Sequence, residues 1–338
     1  FLVFRFTKRL YLGDNAEKFA ALGAGFYIFF IDLLEFPAML LTETLYLFLV
    51  LLGLNFAFSI WEKPNQRNVL VSSVIFTLAI LVRPPATILM LLTLGFLLYK
   101  RLWRYAVIFV FTAVVILTPW TVRNYLKYNL FIPTTYIIGY DLWVGNSPGS
   151  KYIGELTATD EINQYSSEKG VFAANEKCKK EFFNLILKHP WDFIKLQLIK
   201  TSIYLSAARP AAFWFHLSGA SQLLTIIFSS VFAFLVFTFG LSGLWEFIKK
   251  RDLMSRFMVL VTLAAPAGII WIVAETRYRY QIYPMMIILG VIFLAEFLKS
   301  PKRYAKVLSV FTIIIASNTL FDAVRNIPRL MERLQRLF

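Results

Sequence analysis

The chain has 338 residues, of which 58% are hydrophobic, 17% aromatic and only 16% charged, whereas a soluble domain carries about a quarter charged residues. That balance excludes an ordinary soluble globular protein and reads as a membrane protein. The net charge of +15 could suggest nucleic acid, but the basic residues fall in short clusters between apolar runs, as inward-facing membrane loops do, which argues against that partner.

The opening "FLVFRFTKRL" reads as the last turns of a span already under way, with no signal-peptide pattern, so the expectation is an N-terminally truncated chain. A span needs roughly 20 apolar residues to cross about 30 Å of hydrocarbon. This predicts spans at 16–34, 42–61, 104–121, 222–247, 254–274, 280–297 and 305–322, after a partial helix at 1–7. Basic clusters flank them: Lys8, Arg9 and Lys18; Lys63 and Arg67; Lys100, Arg101 and Arg104; Lys249, Lys250 and Arg251; Lys299, Lys302 and Arg303. All five lie on one side only if residues 69–99 enter and leave the membrane from that side.

Residues 69–99 contain "AILVRPPATILML", and they are too long for one span and too short for two. Two helices of about 14 residues would each rise roughly 21 Å. Pro84 and Pro85 would turn the chain between them, since proline lacks an N–H and disfavours helix in the residue before it. Arg83 then sits at the summit of a re-entrant hairpin, where a charge costs about 2.5–3.5 kcal/mol unless it meets water or a partner. The alternative is an Arg83 that snorkels to the headgroups.

The domain reading is an N-terminal bundle at 1–121, an extramembrane and mainly helical loop at 122–218, C-terminal spans at 219–323 and an interfacial tail at 324–338. Within the loop, "EKCKKEFFNLILKHPWDFIKLQLIKTSIYL" repeats apolar residues at three- and four-residue steps around a proline, which predicts two amphipathic helices on the outer leaflet. The tail "RNIPRLMERLQRLF" resembles it. One cysteine, Cys178, excludes an internal disulfide, and the two histidines, His189 and His216, leave little for a transition-metal site.

Several groups could carry chemistry. Glu43, in "LLTETLYLF", opens a helix, where the dipole also favours an acid for purely structural reasons. Asp32 and Glu35 lie nearby and read as solvated helix ends. Arg123 and Asn124 follow a span in "TPWTVRNYLKYNLFIP". Asp141 and Asn146 belong to "GYDLWVGNSPGS", which suits either a loop over a polar ligand or a structural turn. In "ETRYRYQIYP", Arg277 and Arg279 alternate with Tyr278 and Tyr280. Guanidinium forks there suit a phosphate or any lipid headgroup. No serine–histidine–acid set, HExxH or Walker loop occurs.

"LLTETL", "LVRPPATILM", "PWTVRNYLKYNLFIP", "GYDLWVGNSP" and "RYRYQIYP", in that order, resemble the GT-C membrane glycosyltransferases. The nearest branch is the family-39 type, which includes protein O-mannosyltransferases and bacterial aminoarabinose transferases. The resemblance implies an all-α, polytopic membrane bundle of GT-C type. It further implies transfer of a sugar from a polyprenyl-phosphate donor to a protein, lipid or glycan acceptor on the non-cytosolic face, in a bacterial plasma membrane with the site facing the periplasm. Under it Glu43 is the acid near the acceptor, and Arg83, Arg277 and Arg279 approach the donor phosphate. Arg123, Asn124, Asp141, Asn146 and Tyr278 line the substrate cavity. No cofactor is firmly implied, and a divalent metal stays open. The family's principal aspartate would precede Phe1. A transporter or flippase of lipid-linked saccharides and an inactive homologue are the competing readings, although no internal repeat supports the former.

Overall fold

The computed structural model describes residues 1–147, 160–208, 217, 219–272 and 276–327. Among these the fold is all-α, with no strand. Five helices are long and apolar enough to cross a membrane: α4 (Thr42–Glu62), α7 (Trp103–Tyr128), α12 (Gly219–Lys249), α13 (Leu253–Ile270) and α15 (Pro301–Arg325). The protein is therefore a multi-pass membrane protein.

The chain forms two compact units drawn from separated stretches. Unit 1 comprises Phe1–Leu47, Ser202–Pro266 and Glu275–Phe338. Its centre is α14 (Tyr283–Lys299), whose residues from Tyr283 to Phe293 are all buried. Against it pack α1 (Leu2–Leu10), α2 (Ala16–Phe29), α12 and α15. The α12–α14 crossing is close because Gly240 and Gly243 face Met286 and Leu289, so that a methyl group added at Gly243 would meet the Leu289 backbone oxygen. Small residues let membrane helices approach in this way.

Two sequence expectations change here. The span read at 16–34 is broken at Phe30, with α3 (Ile31–Ala38) bent 56° from α2. The segment read as a span at 280–297 is a 17-residue helix from Tyr283, preceded by a 3₁₀ turn over Thr276–Gln281. That tighter turn, rather than a longer helix, presents the arginine–tyrosine motif.

Unit 2 comprises Phe48–Thr201 and Ala267–Ala274. In it α5 (Gln66–Val82) and α6 (Ala86–Tyr99) are two short apolar helices separated by Arg83, Pro84 and Pro85, as the hairpin reading requires. At about 1.5 Å per residue they rise roughly 25 and 21 Å, each short of the hydrocarbon core. Asn65 caps α5 by accepting the Asn68 N–H at 2.8 Å. Arg83 has extended backbone (φ −150°, ψ 123°), the conformation that a following proline favours. The hairpin packs on α7, with Ser73 Oγ donating to the Phe109 carbonyl at 2.6 Å, and Trp61 of α4 meets Phe96 of α6 at 4.5 Å.

Outside the spans lie α8 (Ile138–Val144), α9 (Asp160–Lys169), α10 (Val171–Lys188) and α11 (Pro190–Leu205). The break between α10 and α11 falls at His189–Pro190, where the sequence places it. The tail motif, except for Arg325–Ile327, lies outside the described residues.

Candidate functional site

Unit 1 brings together Glu43, Arg277, Tyr278 and Arg279 of the expected site, together with two acids read as solvated. Asp32 is fully buried and Glu35 is 5% exposed, which corrects that reading. The bend at Phe30 turns α3 inward, and distant partners receive the Asp32 carboxylate. Ser229 of α12 donates to its Oδ1 at 2.5 Å, and the Tyr283 hydroxyl of α14 reaches Oδ2 at 3.4 Å.

Arg279 is also fully buried. It donates from Nη2 to the Ile203 carbonyl at 2.6 Å, lies over the Phe237 ring at 5.7 Å, and hydrogen-bonds the Tyr283 side chain. Asp32, Tyr283 and Arg279 thus form one buried carboxylate–phenol–guanidinium chain. Burial pushes the neighbouring Tyr204 phenol above its ordinary value, and the Arg279 charge pulls it the other way. The Tyr204 hydroxyl and Ser206 Oγ are buried without a hydrogen-bond partner among the described residues. Such groups cost roughly 1–3 kcal/mol each unless water or a ligand meets them.

The same 3₁₀ turn reaches the start of α4. Tyr280 packs edge-on against Phe36 and Tyr46, at 5.6 and 5.8 Å. Gln281 donates to the Tyr280 hydroxyl at 3.2 Å and accepts from Tyr46 at 3.5 Å. Glu43 lies one turn before Tyr46, is 2% exposed, and has the Thr42 hydroxyl 3.4 Å from Oε2. Arg277 is partly exposed and donates to the Tyr278 hydroxyl at 2.9 Å, stacked over that ring at 4.8 Å. Of the two arginines, only Arg277 presents surface to a ligand as the cluster stands.

Unit 2 holds the other expected residues. Arg83 is half-buried at the α5–α6 break. Arg123 is exposed, lies 5.2 Å from the Trp120 ring centroid and donates to Asn124 Oδ1 at 2.9 Å. Asn124 is buried and donates to the Ile132 carbonyl, so it fixes the turn after α7. Asp141 is half-buried in α8, and loss of solvent raises its pKa.

Asn146 makes four hydrogen bonds within the fold. Its Nδ2 donates to the Leu142 and Trp271 carbonyls at 2.6 and 2.9 Å. Its Oδ1 accepts from Gln197 Nε2 at 2.9 Å and Lys200 Nζ at 2.7 Å. Two donor hydrogens and two lone pairs are the whole capacity of a carboxamide. Asn146 thus ties α8 and α11 to the end of α13.

Lys200 escaped the sequence reading. It is fully buried, also donates to the Ile272 carbonyl at 3.2 Å, and has its pKa lowered to about 7 by burial. The signal was available: Phe193, Leu196 and Lys200 fall on one stripe of α11, and all three are buried.

No protein family, curated protein or solved structure matches the chain. Its chemistry therefore has to be argued from its own residues. Among the described residues no three His, Cys, Asp or Glu are grouped so as to hold a metal ion. Asp32, Glu35 and Glu43 do not converge into a cage, and no step is assigned to a divalent ion.

Proposed function

We propose that this chain is a membrane glycosyltransferase that moves a sugar from a polyprenyl-phosphate donor to an acceptor on the non-cytosolic face. The bacterial plasma membrane and a periplasm-facing site belong to the same reading. The observation that carries it is the presence, within the same unit, of a partly exposed Arg277 and enclosed carboxylates at Asp32, Glu35 and Glu43. The five motifs of the GT-C resemblance support it independently.

In the reaction, the bond between the sugar's anomeric carbon and the phosphate oxygen breaks, and its electron pair leaves with the phosphate. The acceptor oxygen bonds to the anomeric carbon and gives its proton to a carboxylate. Negative charge grows on the phosphate as the bond breaks, so fixed guanidinium groups stabilise the transition state more than the ground state. Arg277 has this role. Arg279 supplies a fixed positive field from within the cluster and holds Tyr283. Glu43 takes the acceptor proton as general base. Tyr278 is the polar contact of the substrate within unit 1.

The test uses the full-length protein in detergent, with donor binding measured apart from transfer of a radiolabelled sugar. Arg277→Ala is expected to weaken donor binding at least tenfold, on the order of 1.4 kcal/mol, and to slow transfer further. If the wild-type protein binds no polyprenyl-phosphate sugar, the proposal fails. Binding and transbilayer movement without transfer would favour the flippase instead.

A further inference from the structure

We infer that the α10–α11 corner is a docking surface for the anionic lipids of the leaflet at which α7 and α13 end. The inference is independent of any glycosyltransferase activity. Phe182 of α10 packs on Phe193 of α11 at 5.9 Å, folding the two helices together at the His189–Pro190 break. The start of α10 touches the end of a span, with Phe172 5.4 Å from Tyr128, the last residue of α7. Phe193 touches Trp271, the residue after α13, at 5.4 Å. The corner therefore lies at the level where two apolar helices finish, which in a membrane is the headgroup boundary.

Its outer side is unusually apolar for a surface bathed by water alone. Leu187 is 79% exposed, Trp191 74% and Leu198 66%, and Phe183 and Ile194 are exposed with them. The spacings 183–187 and 191–194–198 put each set on one helix face. These side chains are not the edge of a core, because Ala174, Cys178, Phe182, Phe193 and Leu196 already fill the inner faces.

Lysines border the apolar stripes: Lys179, Lys180, Lys188 and Lys195 are all exposed. Besides buried Lys200, α10 and α11 carry five lysines against three acids, with Lys177 paired to Glu161 of α9 at 3.1 Å. Of the acids, Glu176 accepts from Tyr136 and Asp192 lies 3.9 Å from His189. An exposed tryptophan within an apolar stripe, flanked by long cationic side chains, is the arrangement that seats a helix at the headgroup boundary and selects negatively charged lipid. Each basic residue held near such a surface adds attraction.

The test places single cysteines at Leu187 and Trp191, both outward-facing, and carries an environment-sensitive nitrobenzoxadiazole probe on each. Wild-type protein treated with the same reagent checks that buried Cys178 stays unlabelled, and exposed Asn163 on α9 provides the water-facing comparison. The full chain is reconstituted into phosphatidylcholine vesicles with or without phosphatidylglycerol. Probes at 187 and 191 are expected to emit as in an apolar medium and to be quenched by lipids spin-labelled near the headgroup, while the probe at 163 is quenched by aqueous iodide. Removing phosphatidylglycerol, or combining Lys179→Gln, Lys180→Gln, Lys188→Gln and Lys195→Gln, should remove at least about half of the lipid quenching. Iodide quenching at 187 and 191 would overturn the inference. So would an apolar signal without lipid quenching, which would mean a second protein copy. Lipid quenching indifferent to both phosphatidylglycerol and the lysines would overturn the anionic selectivity.

Discussion

In unit 1 the buried polar residues carry opposite charges, with Asp32, Glu35 and Glu43 in the same unit as Arg277 and Arg279. In unit 2 the buried cation Lys200 meets uncharged acceptors, Asn146 Oδ1 and the Ile272 carbonyl. The carboxamide in the second case is used to its full capacity. The first retains two buried hydroxyls, on Tyr204 and Ser206, without partners among the described residues. Asn146 holds backbone segments in place and has nothing left for a ligand, although its neighbour Gln197 keeps Oε1 buried without a partner among the described residues. Both networks thus retain unsatisfied groups, and what differs is charge: carboxylates and guanidinium groups in unit 1, a lysine among carbonyls and carboxamides in unit 2.

The comparison is most open to attack at Asn146. Asn146→Leu takes the Nδ2 donor from two carbonyls and leaves Lys200 with the Ile272 carbonyl alone, and it should destabilise the protein by about 4 kcal/mol, read from unfolding in detergent. Adding Lys200→Met should recover part of that loss, because the stranded charge is gone. If the double variant is no more stable than Asn146→Leu, Lys200 is not the dependent partner.

In unit 1, Arg279→Met should destabilise by about 3 kcal/mol, since it removes a buried guanidinium whose charge acts on Tyr283, the partner of Asp32. Asp32→Asn in the same chain should restore about 1 kcal/mol through the chain of Tyr283. Strict additivity of the two substitutions, measured by a double-mutant cycle, would show that Asp32 and Arg279 do not sense one another.

A smaller effect distinguishes the two cations by pH. The pKa of Lys200 is lowered to about 7 from an ordinary 10.5, so between those values the unfolded chain binds a proton that the folded chain does not. Stability contributed by this group therefore rises as pH is raised from about 7 towards 10.5. Lys200→Met should flatten that rise relative to wild type. Unchanged pH dependence would mean that the lysine stays charged in place. The smallest effect is expected at Ser229→Ala, which removes one hydrogen bond to a carboxylate and should cost about 1–2 kcal/mol in thermal unfolding.

How much of this could be read in the sequence depends on how local each cause is. Pro84 and Pro85 interrupt the apolar run at 69–99, and both helices of that hairpin follow from them. His189–Pro190 sets the α10–α11 break in the same way. The bend between α2 and α3 has no such mark, because Phe30 is neither proline nor glycine and Pro37 lies within α3. The burial of Asp32 depends on Ser229 and Tyr283, 197 and 251 positions away, and no local pattern reports that. Glu43, Arg277, Tyr278 and Arg279 were legible as a group because motifs at the start of α4 and before α14 name them. Asn146 is the opposite case. A loop of glycine, asparagine and aromatics suits a ligand or a turn, and its bonds to the Trp271 carbonyl and Lys200 come from 125 and 54 positions away.

The central claim is that unit 1 holds chemistry rather than structure alone, and Glu43 tests it most directly. Glu43→Gln keeps the shape and removes the negative charge. The measurement is single-turnover transfer of sugar from bound polyprenyl-phosphate donor by the full-length protein, with donor affinity and unfolding temperature determined on the same preparation. The account predicts a fall in the transfer rate of about 100-fold or more, with donor binding within about twofold of wild type (roughly 0.4 kcal/mol) and unfolding little changed. Transfer at the wild-type rate by a folded Glu43→Gln protein would contradict it.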